Sequence, residues 1–258
     1  MKYTIFAAVL LLLVVPTVVA QESEPKDPES EASELLTGVQ DNSFLLEEAY
    51  NQEPGIVQHI SVLTYDHDAE AWGYAFTQEW PLFSMKHQFS YTIPIDYDDE
   101  ANLGDIALNY RYQLVGKGES RVAVSPRLSV ILPTSDDAES TGVQVGLPIS
   151  TILGERVPAH TNFGATWFDD DKDAEYLVGQ SLIYTITPRV NALVEALWTG
   201  NSDEHSMIVS PGIRWAYNLS NGSQVVPGIA YAMNVSDDDD GGDAVLFYFS
   251  YENAFGRH

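Results

Sequence analysis

Residues Asn102 to Leu132 read NLGDIALNYRYQLVGKGESRVAVSPRLSVIL, and the alternation within this stretch decides the fold. Ile106, Leu108, Tyr110, Tyr112 and Leu114 fall on one side of an extended chain; Ala107, Asn109, Arg111 and Gln113 fall on the other. After a Gly116-Lys117-Gly118 turn the pattern resumes. Val122, Val124, Pro126, Leu128 and Val130 then oppose Arg121, Ala123, Ser125, Arg127 and Ser129. Strand side chains alternate faces with period two, so this is a β-hairpin with one oily and one polar, partly cationic, face. In a soluble sandwich the oily face is core. In a transmembrane barrel it meets lipid and the polar face lines the lumen.

The rest of the chain chooses the barrel. From Gly55 onward there are about 12 strand-like segments of ~9–11 residues, the length a tilted membrane strand needs. No helical period separates them, which predicts an all-β, up-and-down antiparallel transmembrane β-barrel. Alternate connections are tight, as at Pro81-Leu82, Gly116-Lys117 and Thr187-Pro188-Arg189. The others are longer and acidic, and hold more than half of the 38 Asp and Glu residues. Short turns at one end and long polar loops at the other mark outer-membrane barrels. Asp98, Asp99, Asp136, Asp137, Asp169, Asp170, Asp171, Asp237, Asp238, Asp239 and Asp240 are therefore expected to form an acidic outer rim. Trp72, Trp80, Trp167, Trp198 and Trp215 lie near strand ends, where aromatic girdles meet the membrane interface. The least natural feature for this reading is Pro within strands, at Pro126, Pro211 and Pro227, because Pro removes a ladder donor.

The N-terminus carries an address. Lys2, an apolar run from Ile5 to Val15 and Val18-Val19-Ala20 predict a signal peptide over residues 1–20. Residues 21–40 read as an acidic disordered linker, residues 41–54 as a short periplasmic leader or plug helix, and residues 55–255 as the barrel. The leader is expected to form about two helical turns capped by Asn42 or Ser43. The net charge of −26 argues against nucleic-acid binding, and the absence of Cys excludes disulfides and Cys-based metal sites.

The register aims Glu79, Lys86, Arg111, Arg121, Arg127, Glu195, Arg214 and Glu252 at the lumen, since a Lys or Arg facing lipid at mid-depth costs ~2–4 kcal/mol. Such charges either screen solutes or fill a narrow barrel as ion pairs. The acidic loops lack the ligand spacing of an EF-hand, so no metal site and no cofactor are expected. Catalysis is not expected either. His160 points inward with no evident Ser partner, and no phosphate loop or metal-spaced His cluster appears.

Two stretches resemble a known family. The run from Asn42-Ser43-Phe44-Leu45-Leu46-Glu47-Glu48-Ala49-Tyr50 through Pro54-Gly55 to Ile60 is similar to the leader and first strand of outer-membrane channels grouped with proteins of the meta-pathway of phenol degradation. Leu103-Gly104-Asp105-Ile106 resembles that family's Gly-Asp hairpin. The resemblance spans roughly Asn42 to Phe255. It implies an outer-membrane barrel that takes up small or aromatic compounds, with no catalytic residues.

Together these readings predict a monomeric, porin-like passive channel in a bacterial outer membrane. Its partners would be membrane lipid, lipopolysaccharide, small solutes and, during biogenesis, the barrel-assembly machinery. The acidic loops predict some cation preference. The alternative is a structural or interaction barrel with a closed lumen and a rim that associates divalent ions.

Overall fold

In the computed structural model the described residues are 39, 41–97, 100–117, 120–135, 140–154, 157–169, 173–220, 223–236 and 242–255. The predicted signal peptide and nearly all of the predicted linker lie outside them. So do all of the predicted rim acids except Asp169.

Fifteen strand segments build one antiparallel sheet. They are β1 (Ile56–Asp66), β2 (Ala71–Leu82), β3 (His87–Tyr97), β4 (Ala101–Leu103), β5 (Ile106–Tyr112), β6 (Val122–Val124), β7 (Arg127–Leu132) and β8 (Gly142–Leu153). They continue as β9 (Val157–Phe168), β10 (Glu175–Thr187), β11 (Val190–Gly200), β12 (His205–Trp215), β13 (Tyr217–Asn218), β14 (Gln224–Asn234) and β15 (Ala244–Ala254). β4 runs on into β5, β6 into β7, and β13 extends β12, so the fifteen segments are twelve staves. Each stave pairs with its chain neighbours. β1 pairs β15 from Ile56↔Ala254 to Asp66↔Ala244, which closes the barrel and leaves no free edge. No described helix is long and apolar enough to cross a membrane, and that bears only on helices.

The faces follow the predicted alternation. Asn109, Arg111, Gln113, Ser125 and Ser129 are buried inside, whereas Leu108, Tyr110, Leu114, Leu128 and Val130 are exposed outside. The same holds around the ring, with Val145, Phe163, Val178, Val194, Ile213, Ile229 and Phe247 exposed. This is an inside-out distribution: polar side chains are buried and apolar ones line the outer surface. Aromatics collect at both outer margins, with Trp72, Tyr97, Trp167 and Tyr176 near the loop end and Tyr184, Tyr217 and Phe255 near the turn end.

The Gly-Asp motif is a bulge. Ile95 pairs Leu103 and Thr92 pairs Ala107, so Ile93 and Pro94 face three residues, Gly104, Asp105 and Ile106. The Gly104 N–H donates to the Pro94 carbonyl (2.9 Å), and a Cβ on Gly104 would lie 2.8 Å from the Pro94 ring. Asp105 accepts from the Thr134 and Ser135 N–H groups (3.1 and 3.0 Å), while the Thr134 hydroxyl donates to the Gly104 carbonyl (2.8 Å). The motif thus pins the start of one stave to the end of the next.

The strand prolines find a physical place. β12 and β14 pair at Val209↔Met233 and resume at Gly212↔Ala230, skipping Pro211. Their pairing ends at Arg214↔Gly228, one rung short of Pro227. Pro126 sits in the break between β6 and β7, where it only accepts, from the Tyr112 N–H (3.0 Å). Pro211 and Pro227 thus occupy rungs left open between β12 and β14 while staying in register with Val194 and Phe249 on their other sides, and Pro126 falls in the strand break.

Candidate functional site in the lumen

The segment preceding β1 lies inside the barrel. Residues 41–52 form no helix; the expected two helical turns are absent. The reason is where the backbone N–H groups go. Phe44, Leu45 and Leu46 all donate to the Glu195 carboxylate (3.1, 2.9 and 3.1 Å). Glu47 donates to Asn162 Oδ1 (3.0 Å), Ala49 to Ser150 Oγ (2.7 Å), Asn51 to Gln113 Oε1 (2.9 Å) and Gln52 to Gln88 Oε1 (2.8 Å). Side chains of the wall take the bonds that a helix would have made with itself.

The carbonyls are met in the same way. Arg111 donates from Nη1 to Glu48 O (2.9 Å), from Nη2 to Tyr50 O (2.6 Å) and from Nε to Asn51 Oδ1 (2.9 Å). Arg214 donates to the carbonyls of Asp41, Asn42 and Val39. Gln113 and Ser125 both donate to Ala49 O. The Asp41 carboxylate accepts from Gln58 Nε2 (2.7 Å) on β1 and from Tyr248 Oη (2.6 Å) and Ser250 on β15.

The wall makes room for the segment with glycine. A Cβ on Gly212 or Gly228 would lie 2.3 or 2.5 Å from the Phe44 ring, and one on Gly179 would lie 2.3 Å from Leu46 Cδ2. Val39 and Phe44 also belong to the buried apolar cluster, with Ile60, Ile183, Leu193, Val226, Leu246 and Tyr248 from the wall. Burial raises the Glu48 carboxyl to about 8, helped by the nearby Asp41 charge and opposed by Arg111 and Arg214. Burial also raises Asp41, against the pull of Arg214 and of its hydrogen-bond donors.

Six of the eight predicted lumen charges face inward, but mostly not as partners of one another. Arg111 lies 3.8 Å from Glu79 and 3.6 Å from Glu47, and Arg127 pairs with Glu47. Arg214 and Glu195 are buried and serve the leader's carbonyls and N–H groups respectively. Glu252 is half-buried in register with Gln58 and Gln224. Lys86 and Arg121 lie elsewhere. Lys86 is exposed in the turn before β3, and Arg121 is exposed ahead of β6, donating to Gly154 O (2.8 Å). Both have inward parity but sit beyond the rungs that enclose the lumen. Asp169 accepts from the Thr141 N–H (3.1 Å) at the loop end.

Sequence reasoning missed the anchors for the leader. Asp41, Asn162, Gln113 and the three wall glycines carried no motif, and Glu47 stood only within the family's leader run, with no role. His160 does have a Ser partner: Ser150 Oγ lies 2.8 Å from its Nδ1. That Ser also accepts the Ala49 N–H, and both side chains are buried, so the pair is part of the leader's seat.

Toward the loop end the lumen opens into a cavity of about 770 Å³, lined by Gln144, Glu175, Leu177, Asp203, Glu204 and Asn234 among others. Two cavities of about 120 Å³ each abut the leader itself. One is lined by Glu47, Thr77, Glu79, Ser90, Thr92 and Asn109, the other by Leu45, Glu47, Arg127, Gln144, Asn162 and Leu177.

Residues 51–200 match the protein family described as "Putative MetA-pathway of phenol degradation". The chain belongs to this family. No curated protein sequence matches it. Among solved structures it is similar to an outer-membrane channel from Pseudomonas putida F1, with 11% identity and a TM-score of 0.55, over 81% of this chain and 98% of that one. It is also similar to the NanC porin, with 9% identity and a TM-score of 0.56, over 77% and 100%. The KdgM porin, solved in complex with disordered oligogalacturonate, matches with 7% identity and a TM-score of 0.51, over 78% and 99%. At these identities the likeness is one of fold: a porin-like barrel.

Proposed function

We propose that the protein is a passive channel for small solutes in a bacterial outer membrane, and that residues 41–54 are its removable stopper. One observation carries the reading. The turn-end half of the lumen is occupied by a separate, irregular segment, seated on Gly179, Gly212 and Gly228 of the wall. A barrel that is closed for structural reasons fills itself with large wall side chains. This wall instead carries glycines where Phe44 and Leu46 sit, so withdrawing the segment leaves a passage.

The apolar outer face and its aromatic margins suit a monomer among membrane lipid and lipopolysaccharide, delivered by the signal peptide and inserted by the barrel-assembly machinery. The turns would then be periplasmic and the loops external. The lumen has unlike sides. Ile60, Val62, Ile208, Ala230, Ala232 and Leu246 give β1, β12, β14 and β15 an apolar lining. Thr77, Thr92, Asn109, Ser129 and Thr166 give the facing staves a polar one. This suits solutes with an apolar body and a polar edge, aromatic ones included. Glu175, Asp203 and Glu204 at the mouth favour cations. No reaction is assigned, because Ser150 and His160 are committed to holding the leader.

The test uses a tether. The Ser43 and Ser181 hydroxyls lie 2.7 Å apart, and the chain has no Cys of its own. The refolded Ser43→Cys/Ser181→Cys variant in a planar bilayer should show low conductance when oxidised and wild-type openings after reduction. Equal conductance in both states defeats the stopper. No conductance in the wild type defeats the channel, and clear anion selectivity defeats the cation preference.

A further inference from the structure

We propose that Arg127 is a binding site for the carboxylate of a small apolar-bodied solute, and that Glu47 occupies this site as an internal surrogate. The inference rests on the stopper reading and adds the chemical class of what displaces it.

The three lumen arginines differ in reach. Arg111 and Arg214 are 3% and 1% exposed, enclosed under the leader. The Arg127 side chain is 20% exposed and its partner Glu47 30%; Glu47 also lies 3.6 Å from the enclosed Arg111, so among the described ion pairs of the leader Arg127 is the cation that meets the open lumen. Its cavity shares Gln144 and Leu177 with the large loop-end cavity, which gives a solute an approach from outside.

The guanidinium is positioned but not saturated. One Nη bonds Glu47 and the other Gln144, while Nε has no protein partner among the described residues. Two residues further along the same lumen face, the buried Ser129 hydroxyl likewise has no protein partner among them. Gly146 lies beside the guanidinium, where a Cβ would come within 3.4 Å of Nε. Arginine presents a planar fork that matches a carboxylate. Leu45, Leu46 and Leu177 supply the apolar flank of the cavity.

Glu47 belongs to the leader, so a carboxylate that takes its place removes one of the leader's ionic anchors. Binding and unseating are therefore coupled, and the coupling is reciprocal. The acidic mouth sets how often an anion arrives; the Arg127 site sets how long it stays.

Equilibrium binding of benzoate to the refolded full-length protein tests this, with benzamide as the uncharged counterpart. Benzoate should bind saturably, at least tenfold tighter than benzamide. Arg127→Gln should weaken benzoate at least tenfold, and Glu47→Gln should tighten it threefold or more by removing the competitor. Equal binding of the two probes, an unaffected Arg127→Gln variant, or weaker binding in Glu47→Gln would each overturn the site. These readings do not depend on conductance. If benzoate binds as expected while the oxidised and reduced tether conduct alike, the site stands and the stopper falls.

Discussion

The barrel wall and the leader are both buried, yet they keep their backbones satisfied in opposite ways. Along β1 the N–H and C=O groups pair with two neighbouring backbones over nine to eleven rungs. Along residues 41–52 they pair mostly with side chains of the wall, and only Asn42, Ser43 and Glu48 donate within the leader among the described bonds. A ladder is insensitive to the identity of any one side chain. A strap held by Glu195, Arg111, Arg214 and Asn162 is not. Single substitutions in those side chains are therefore expected to free the leader while leaving the barrel closed.

The sharpest way to break the contrast is Arg111→Ala. It removes three donors from the leader and strands Glu79, a loss on the order of 3–5 kcal/mol for a buried pair. Open probability in a bilayer should rise many-fold, while the fast-migrating, heat-modifiable folded band in an unheated detergent gel persists. Glu195→Gln comes next. It replaces a charged acceptor of three N–H groups by a neutral one and should cost the seated state ~1.5–3 kcal/mol, again read as open probability. Gly212→Val tests shape rather than charge. Its side chain would take the space of the Phe44 ring, and loss of that burial should weaken seating by ~2 kcal/mol.

pH gives a finer instrument. Glu48 titrates at about 8 when seated, against 4.5 when released. The seated state therefore holds its proton over that interval. Its stabilisation is complete below pH 4.5 and declines as pH rises toward 8, by up to ~1.4 kcal/mol per unit. Conductance should climb across this window, and Glu48→Gln should flatten the climb. The smallest effect belongs to the wall. Thr134→Ala at the Gly-Asp bulge removes the hydroxyl that donates to Gly104 O and accepts the Ile106 N–H, and should lower barrel stability by ~1–2 kcal/mol, leaving conductance unchanged.

The same contrast explains what was legible in the sequence. Period-two alternation is a property of each strand alone, so the twelve staves, their faces and the sorted turns could be read directly. The oily side of the Asn102–Leu132 hairpin is indeed its outer side. The family resemblance on Asn42–Ile60 and on Gly104-Asp105 also pointed to this barrel, and the match over residues 51–200 agrees. The leader was misread as helical because its shape is imposed from outside. Asn42 or Ser43 ahead of Phe44-Leu45-Leu46-Glu47-Glu48 has the pattern of a capped helix start, but Phe44 docks on Gly212 and Gly228 and Leu46 docks on Gly179, on other staves. No local pattern records glycines more than a hundred residues away. Lys86 and Arg121 show a second limit: parity gives a side chain's face, and only the length of the ladder tells whether that face is enclosed.

Asp41 touches the first strand and the last at once, through Gln58, Tyr248 and Ser250. This has a consequence in time. Residue 41 is synthesised some two hundred residues before residue 250. Its carboxylate has no complete set of donors until the final strand is laid beside the first. Complete seating of Asp41 is thus expected only once the ring has shut, so its full set of bonds distinguishes a finished barrel from an open precursor.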